Sequence, residues 1–138
     1  MKQIFGLLLI LSLFSCDDTN DNNPFLPNFP VNFTINLNLA EGINLINDGN
    51  QDVFLDQGIR GIVVKRFSAT NFVAFDLACP HLELQNCSTM TVEGFLMICT
   101  CDDERFQILD GASISGNVNV TARNYSAILN GNLLRISN

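Results

Sequence analysis

Four cysteines and the chain's only histidine lie between residues 79 and 101, and these side chains are the ones best suited to chemistry. Cys79 and His81 form a Cys-x-His pair, and Cys99 and Cys101 form a Cys-x-Cys pair, with 17 residues (82–98) between the pairs. Cys87 lies in that interval. Thiolates and imidazoles at such spacings are typical ligands of zinc and of iron–sulfur clusters. In an exported protein the same four cysteines would instead form two disulfides, and both possibilities stay open at this point.

The elements that must position this cluster are predicted to be strands. Val31–Leu39 alternates apolar and polar residues, the pattern of a strand with one buried face. Asn130-Gly131 separates two apolar runs and is the strongest short signal for a β-hairpin. The other predicted strands are Gly61–Phe67, Asn71–Phe75, Gly94–Ile98, Phe106–Leu109, Tyr125–Leu129 and Asn132–Ile136. Short strands with Gly and Asn turns predict an all-β fold, a small antiparallel sandwich or barrel without a long helix.

The first residues of the chain indicate export. Ile4–Phe14 is an apolar run of 11 residues that follows Lys2 and is too short to span a membrane. Cys16 comes directly after Ser15 at the end of this run, an arrangement that resembles the signal of bacterial lipoproteins. We therefore expect residues 1–15 to be a lipoprotein signal peptide and Cys16 to carry lipid. The alternative is an ordinary cleaved signal.

The next segment, residues 16–30, is rich in Asn, Asp and Pro and is expected to be a disordered tether. One folded domain is then predicted over residues 31–138. Loss of Lys2 with the signal leaves 6 Lys and Arg against 14 Asp and Glu, a net charge of −8, which excludes nucleic acid as a partner. The predicted location is the bacterial cell envelope, periplasmic or surface-exposed, with the membrane as partner through lipid on Cys16.

The cysteine and histidine pattern resembles the Rieske [2Fe–2S] domain, in which two Cys hold one iron and two His hold the other. Cys79 and His81 match the first ligand pair, and Cys99 matches the second cysteine. Asp102 falls where the second histidine belongs, and Phe106 follows where the family has its phenylalanine. The resemblance covers most of residues 31–138. It implies a Rieske-like small antiparallel β sandwich or barrel with two ligand loops.

The second ligand motif departs from the family at three adjacent positions. Asp102 exchanges an imidazole for a carboxylate, and Asp103 and Glu104 stand where the family has Gly-Ser. The carboxylates add negative charge and a harder ligand, which would lower the potential of any remaining cluster. The Gly-Ser hydrogen-bond donors are lost as well. These changes favour a domain that keeps the Rieske fold and has lost the standard cluster.

The resemblance also implies how the cysteines would pair without iron. In the family, the positions of Cys79 and Cys99 share one iron, so their sulfurs are expected to lie close enough for a disulfide. Some members link the two loops by a disulfide from the position of Cys101. Its usual partner position is Leu84 in this chain, and Cys87 lies three residues further on. The second expected disulfide is therefore Cys87–Cys101.

Three functions remain as hypotheses. The favoured one is a lipid-anchored Rieske-fold protein without cofactor that serves as a non-catalytic structural or binding module. The alternative is an electron-transfer protein that binds an altered [2Fe–2S] cluster through Cys79, His81, Cys99 and Asp102. The third is a zinc site at Cys79, His81 and Cys99 with either Cys101 or Asp102. The sequence carries no other catalytic constellation, so a non-enzyme is predicted. It names no redox or binding partner.

Overall fold

A computed structural model describes residues 23–138, and within them the predicted all-β fold is confirmed. Besides a 3₁₀ helix of three residues, Ile43–Leu45, the regular structure of this part consists of strands. In chain order they are β1 Asn32–Asn36, β2 Gln51–Phe54, β3 Ile62–Arg66, β4 Phe72–Asp76, β5 Met90–Glu93, β6 Leu96–Cys99, β7 Arg105–Gln107, β8 Asn124–Asn130 and β9 Leu133–Ser137. No helix within residues 23–138 is long and apolar enough to cross a membrane.

The strands form two antiparallel sheets. The larger sheet has six strands in the order β1-β9-β8-β4-β3-β2, and the smaller has three in the order β5-β6-β7. The Asn130-Gly131 turn joins β8 to β9, as the sequence predicted, with Asn130 paired to Leu133. The small sheet is continuous in sequence from Met90 to Gln107, so it carries the second cysteine pair within one meander.

The central strands β3 and β4 are buried on both faces, and each face contributes to a different core. Ile62 and Val64 pack into one core with residues of β1, β8 and β9. Val63 and Phe75 pack into the other core, together with Met97 and Phe106 of the small sheet. This second core also contains Cys79 and Cys99, so the cysteine loops rest on the junction of the two sheets.

Two features of the strands differ from the sequence expectation. The strand predicted over Val31–Leu39 ends at Asn36, because the Asn36 side chain accepts a hydrogen bond from the Asn38 backbone N–H and turns the chain. Strands β2 and β5 were not predicted. In β2 the pattern is weak because all four residues are partly or fully exposed, as at the edge of a sheet.

Residues 23–30, the part of the expected tether that the structure describes, lie against the domain. Leu26 is buried, and Arg123 donates hydrogen bonds to the carbonyl oxygens of Leu26 and Pro27. Asn23 donates from Nδ2 to the carbonyl oxygen of Pro80 at 2.8 Å, next to the first cysteine loop. We call residues 23–30 the N-terminal strap. The predicted signal peptide and Cys16 lie outside the described residues.

Candidate metal centre

Two loops carry the candidate ligands, and each leaves the end of a strand. The first loop follows β4 and bears Cys79, His81 and Cys87. The second loop connects β6 to β7. A backbone hydrogen bond from Cys79 N to Ser88 O at 3.1 Å closes the first loop, and one from Thr100 N to Thr89 O at 3.3 Å joins the second loop to the end of the first.

Cys79 and Cys99 form an inner disulfide, with their Cα atoms 5.6 Å apart. Both residues are fully buried, with 0% exposure. Cys99 ends β6 and pairs with Met90 of β5, which itself follows the first loop. The register of this hairpin therefore places Cys99 beside the end of the first loop. The Cys79–Cys99 disulfide is the one that the Rieske resemblance implied.

Cys87 and Cys101 form an outer disulfide, with their Cα atoms 5.0 Å apart. Cys87 is exposed and Cys101 is partly buried. The Thr100 hydroxyl donates a hydrogen bond to the Cys87 carbonyl oxygen at 2.6 Å, which adds a polar link beside the covalent one. This pairing was also implied by the resemblance.

His81 and Asp102 contact each other directly across the two loops. The distance from His81 Nε2 to Asp102 Oδ2 is 2.7 Å, and the two side chains are 11% and 42% exposed. The imidazole lies against Phe106, with ring centroids 5.6 Å apart. Its other nitrogen, Nδ1, is buried and has no hydrogen-bond partner among the described residues. Asp102 and His81 thus link the second loop to the first by a direct side-chain contact.

The surroundings of Asp102 stabilise its ionised form. Burial alone raises the pKa of the Asp102 carboxyl. The hydrogen bond with His81 and the hydrogen bond from the Glu104 backbone N–H outweigh burial, so the pKa is lowered overall. The second loop is therefore built around a charged carboxylate.

The backbone of the second loop keeps a conformation that favours glycine. Asp103 has φ 62°, the only positive φ of a non-glycine residue within residues 23–138. Asp103 therefore holds a backbone conformation that glycine adopts more readily. The turn is closed by hydrogen bonds from Asp103 N to Cys99 O at 2.9 Å and from Cys99 N to Glu104 O at 2.8 Å.

Glu104 has partners that the sequence analysis missed. Its Oε1 accepts hydrogen bonds from the hydroxyls of Ser113 and Ser115, which lower the pKa of the Glu104 carboxyl. Glu104 therefore anchors the second loop to the segment after β7 rather than facing the candidate site. Serines at positions 113 and 115 carry no recognisable signal for this contact, because it depends on the path of the chain after β7.

The residues fit a metal only in part. One ring nitrogen of His81, the sulfur of Cys99 and one carboxylate oxygen of Asp102 lie within 4.8 Å of one another. The sulfurs of Cys79 and Cys99 are bonded to each other, however, so neither is a thiolate that could bind iron or zinc. The donor set of this oxidised state does not fit a [2Fe–2S] cluster. Cys101 belongs to the outer disulfide, so it is not free for the zinc set that includes it.

Known proteins similar to this chain are found among solved structures. No protein-family model and no curated protein matches the chain. Among solved structures, it is similar to the ferredoxin of carbazole 1,9a-dioxygenase from Nocardioides aromaticivorans IC177, with 19% identity, TM-score 0.48, and coverage of 79% of this chain and 97% of that one. It is also similar to a Sphingomonas yanoikuyae B1 ferredoxin, with 15% identity, TM-score 0.45, and coverage of 67% and 88%. The E. coli protein NirD gives 15% identity, TM-score 0.45, and coverage of 70% and 90%. Similarity this low carries no function, which must come from the chain's own residues.

Proposed function

We propose that this protein is an exported, lipid-anchored module of Rieske-like fold whose ligand loops are closed by disulfides, and that it acts by binding rather than by catalysis. The observation that carries the proposal is the inner disulfide. Cys79 and Cys99 occupy the positions at which the family binds one iron, and here they are bonded to each other in a buried place. The disulfide joins the two loops covalently, as the cluster joins them in the family, and it needs no metal.

The acidic second loop also supports a module without a cluster. Asp102 is engaged by His81, and Glu104 is engaged by two serine hydroxyls. Each carboxylate therefore has a local structural partner and does not need a metal to satisfy it. A disulfide across a loop of this size contributes about 3 kcal/mol to the free energy of unfolding, which can replace the contribution of a cluster.

Metal and thiol content tests the proposal. The full chain should be purified from its membrane fraction without reductant and under anaerobic conditions, then assayed for iron, acid-labile sulfide, free thiols and visible absorbance. We expect neither iron nor sulfide, no visible bands, and the four cysteines of the domain in disulfide form. Stoichiometric iron and sulfide together with free Cys79 and Cys99 would contradict the proposal.

Anchoring through Cys16 is a separate part of the proposal. Its basis is the sequence alone, an apolar run that ends directly before a cysteine. Cys16→Ser should block lipid attachment, so the protein should either remain unprocessed or leave the membrane fraction. Intact-mass measurement of the extracted protein gives the direct readout. A mutant that stays in the membrane at an unchanged mature mass would show that Cys16 is not the anchor.

The second candidate function is electron transfer through a [2Fe–2S] cluster with altered ligation. It is favoured by the grouping of His81, Cys99 and Asp102 within 4.8 Å. The triple variant Asp102→His, Asp103→Gly, Glu104→Ser should restore the family motif, and the positive φ at position 103 suits glycine. Reconstitution with iron and sulfide after reduction should give a visible cluster spectrum in the unmodified chain as well as in the triple variant, and a spectrum in the triple variant alone would contradict this candidate. A matched triple variant that also carries Cys79→Ala is the control and should stay colourless.

A further inference from the structure

The two disulfides differ in their access to solvent. The inner disulfide joins two residues that are 0% exposed, whereas Cys87 of the outer disulfide lies on the surface and Cys101 is only partly buried. Thiol–disulfide exchange requires a thiolate to approach a sulfur atom, so access decides which disulfide can react. Exposed disulfides are also the more readily reduced class. The described part of the chain therefore holds one protected and one accessible disulfide.

We propose that Cys87–Cys101 is a site of reversible thiol–disulfide exchange, whose partner is a dithiol without net negative charge, while Cys79–Cys99 remains closed as a structural link. This redox function goes beyond binding, and it would give the domain a two-electron couple at the place where the family holds a one-electron cluster.

The exchange is balanced in two steps. A thiolate of the partner attacks the sulfur of Cys87, the bond to Cys101 breaks, and Cys101 leaves as a thiolate that takes a proton from solvent. The second thiol of the partner then attacks the mixed disulfide and releases Cys87. The partner loses two electrons and two protons and becomes a disulfide, and the two cysteines become thiols. Cys87 is the attacked residue because Cys101 packs against the core.

The loops stay in place when the outer disulfide opens. Ser88 holds the end of the first loop by hydrogen bonds with Gln85, at 2.8 Å from Gln85 N to the Ser88 hydroxyl and 2.9 Å from that hydroxyl to Gln85 O. The Thr100 hydroxyl donates a hydrogen bond to Cys87 O, and the Thr100 backbone N–H donates one to Thr89 O, so both hydrogen bonds link the two loops. The inner disulfide remains as a covalent link. Reduction is therefore local, which allows the couple to cycle without unfolding.

The charge around the outer disulfide selects the partner. Asp102 and Asp103 follow Cys101 directly and are exposed, and exposed Glu83 lies on the first loop. Within residues 23–138, Arg60 is a cation that contacts the first loop, where it donates to Gln85 O at 2.9 Å. The local charge is negative, so it repels an anionic thiolate reagent and attracts a cationic one. The partner is inferred to present its dithiol from a neutral or basic surface.

Limited reduction tests which disulfide reacts. The oxidised full chain is treated with a small excess of dithiothreitol under native conditions, alkylated, and mapped by peptide mass spectrometry. Among the four cysteines of the domain we expect Cys87 and Cys101 to be alkylated, with Cys79 and Cys99 protected until the protein is denatured; the peptide that carries Cys16 is read separately. The far-UV spectrum should not change. The double variant Cys87→Ser, Cys101→Ser is the control and should take up no label at Cys79 or Cys99.

Three results would overturn the exchange site. Cys79 and Cys99 could be labelled at the same rate as the outer pair, the outer pair could stay unlabelled until denaturation, or limited reduction could abolish the folded spectrum. None of them bears on the metal content of the purified protein, so the failure of this inference and of the proposed function are distinguishable.

A pair of monothiols tests the inferred partner charge. Cationic cysteamine and anionic 2-mercaptoethanesulfonate are compared for their rates of mixed-disulfide formation at low salt, each corrected for its rate with a small neutral disulfide. We expect cysteamine to react several-fold faster, with the advantage shrinking at high salt. The variant Glu83→Gln, Asp103→Asn should reduce the advantage in the same way. Equal corrected rates at low salt would contradict a neutral or basic partner.

Discussion

Asp76 is a buried carboxylate at which several parts of the fold meet. It is 0% exposed at the end of β4, and its carboxylate accepts hydrogen bonds from the backbone N–H groups of Ile59, Arg60 and Ala78. A fourth hydrogen bond comes from the Tyr125 hydroxyl at 2.9 Å. Burial and the nearby Asp76 charge raise the pKa of Tyr125, so its hydroxyl stays a donor. One charged side chain thus joins β4 to the loop before β3, to the first cysteine loop and to β8.

Asp76→Asn should lower the free energy of unfolding by about 2–4 kcal/mol, because an amide offers one acceptor oxygen where four donors converge. Urea denaturation followed by circular dichroism measures the loss. Asp56→Asn is a matched control, since Asp56 is exposed and accepts a hydrogen bond from the side chain of the neighbouring Gln57. If both variants lost the same small amount, the central role of Asp76 would be wrong.

Asp102 should give the loop contact a characteristic pH dependence. Its folded pKa is lowered, so its contribution to stability is present above the unfolded pKa of about 4 and is lost as the pH falls through the folded pKa. We expect Asp102→Asn to be less stable than the unmodified protein at neutral pH and equal to it in strong acid. The difference should be small, because the side chain is 42% exposed. Chemical denaturation of both proteins from neutral pH to strong acid measures the difference in stability. A difference that does not change with pH would refute the charge contribution.

The residue types of the candidate site could be predicted from the sequence, but their contacts could not. The positions of Cys79, His81, Cys99 and Asp102 followed from spacing and resemblance, and the structure brings all four together. The hydrogen bond between His81 and Asp102 was not foreseen, because residues at ligand positions are expected to face a metal and not each other. The role of Asp76 had no signal at all. A lone Asp at the end of a strand has the same pattern whether it is buried or exposed.

At the scale of elements, the turn before β3 shows how closely the backbone approaches Asp76. Gly58 has φ +72°, and a Cβ there would lie 2.5 Å from Asp76 Oδ2 and 2.8 Å from Ile62 Cγ1. Glycine is required twice, for its backbone conformation and for the missing side chain.

Gly58→Ala should therefore lower the free energy of unfolding by more than the strain of a left-handed backbone alone. Gly49 is the matched control, because it has φ +86° and no atom within 4 Å of an added Cβ. We expect Gly49→Ala to lower the free energy of unfolding by about 1–2 kcal/mol through backbone strain. Gly58→Ala should lose about 1–3 kcal/mol more through the steric clash. Thermal and urea unfolding of the two variants gives the comparison. Equal losses would mean that the turn accommodates the added methyl group without a further loss of stability.

The strands themselves were predicted where alternation or turn residues were strong. The hairpin β8–β9 follows from Asn130-Gly131, and β1 follows from perfect alternation up to Asn36. In β5, Met90 and Val92 alternate with Thr91 and Glu93, so the sequence does contain a signal for this strand. It is short and adjoins the cysteine loop, which obscures its start. Edge strand β2 shows no clear pattern, because its position in the sheet comes from pairing with β3.

For the whole molecule, two polar links tie parts that are distant in sequence. Lys65 of β3 is 3% exposed and donates from Nζ to Gly49 O, Gln51 Oε1 and Gly94 O. Because Gly94 lies in the turn between β5 and β6, this lysine joins the large sheet to the small one. Its Nζ also lies 4.5 Å from the centroid of the Phe95 ring. The N-terminal strap supplies the second link, through Arg123 and Asn23.

Leu26→Ala should show that the N-terminal strap is part of the domain. Leu26 is 5% exposed, so its truncation should lower the free energy of unfolding by about 2–5 kcal/mol if the strap is stably docked. Phe29→Ala in the same strap should cost less, since Phe29 is 45% exposed. Urea denaturation of the full chain measures both. A Leu26→Ala variant as stable as the unmodified protein would mean that the strap detaches freely.

The order of the cysteines along the chain has a consequence for the biogenesis of the molecule. The disulfides Cys79–Cys99 and Cys87–Cys101 interleave, so each joins an early cysteine to a late one. If the chain is exported N-terminus first, as proposed above, Cys79 and Cys87 meet an oxidant before Cys99 and Cys101 do. Oxidation in order of appearance would thus produce one of the two wrong pairings among the three that four cysteines allow. For an exported chain, the native pairing therefore requires either that oxidation is delayed until the two sheets have met or that an isomerase reshuffles the first bond.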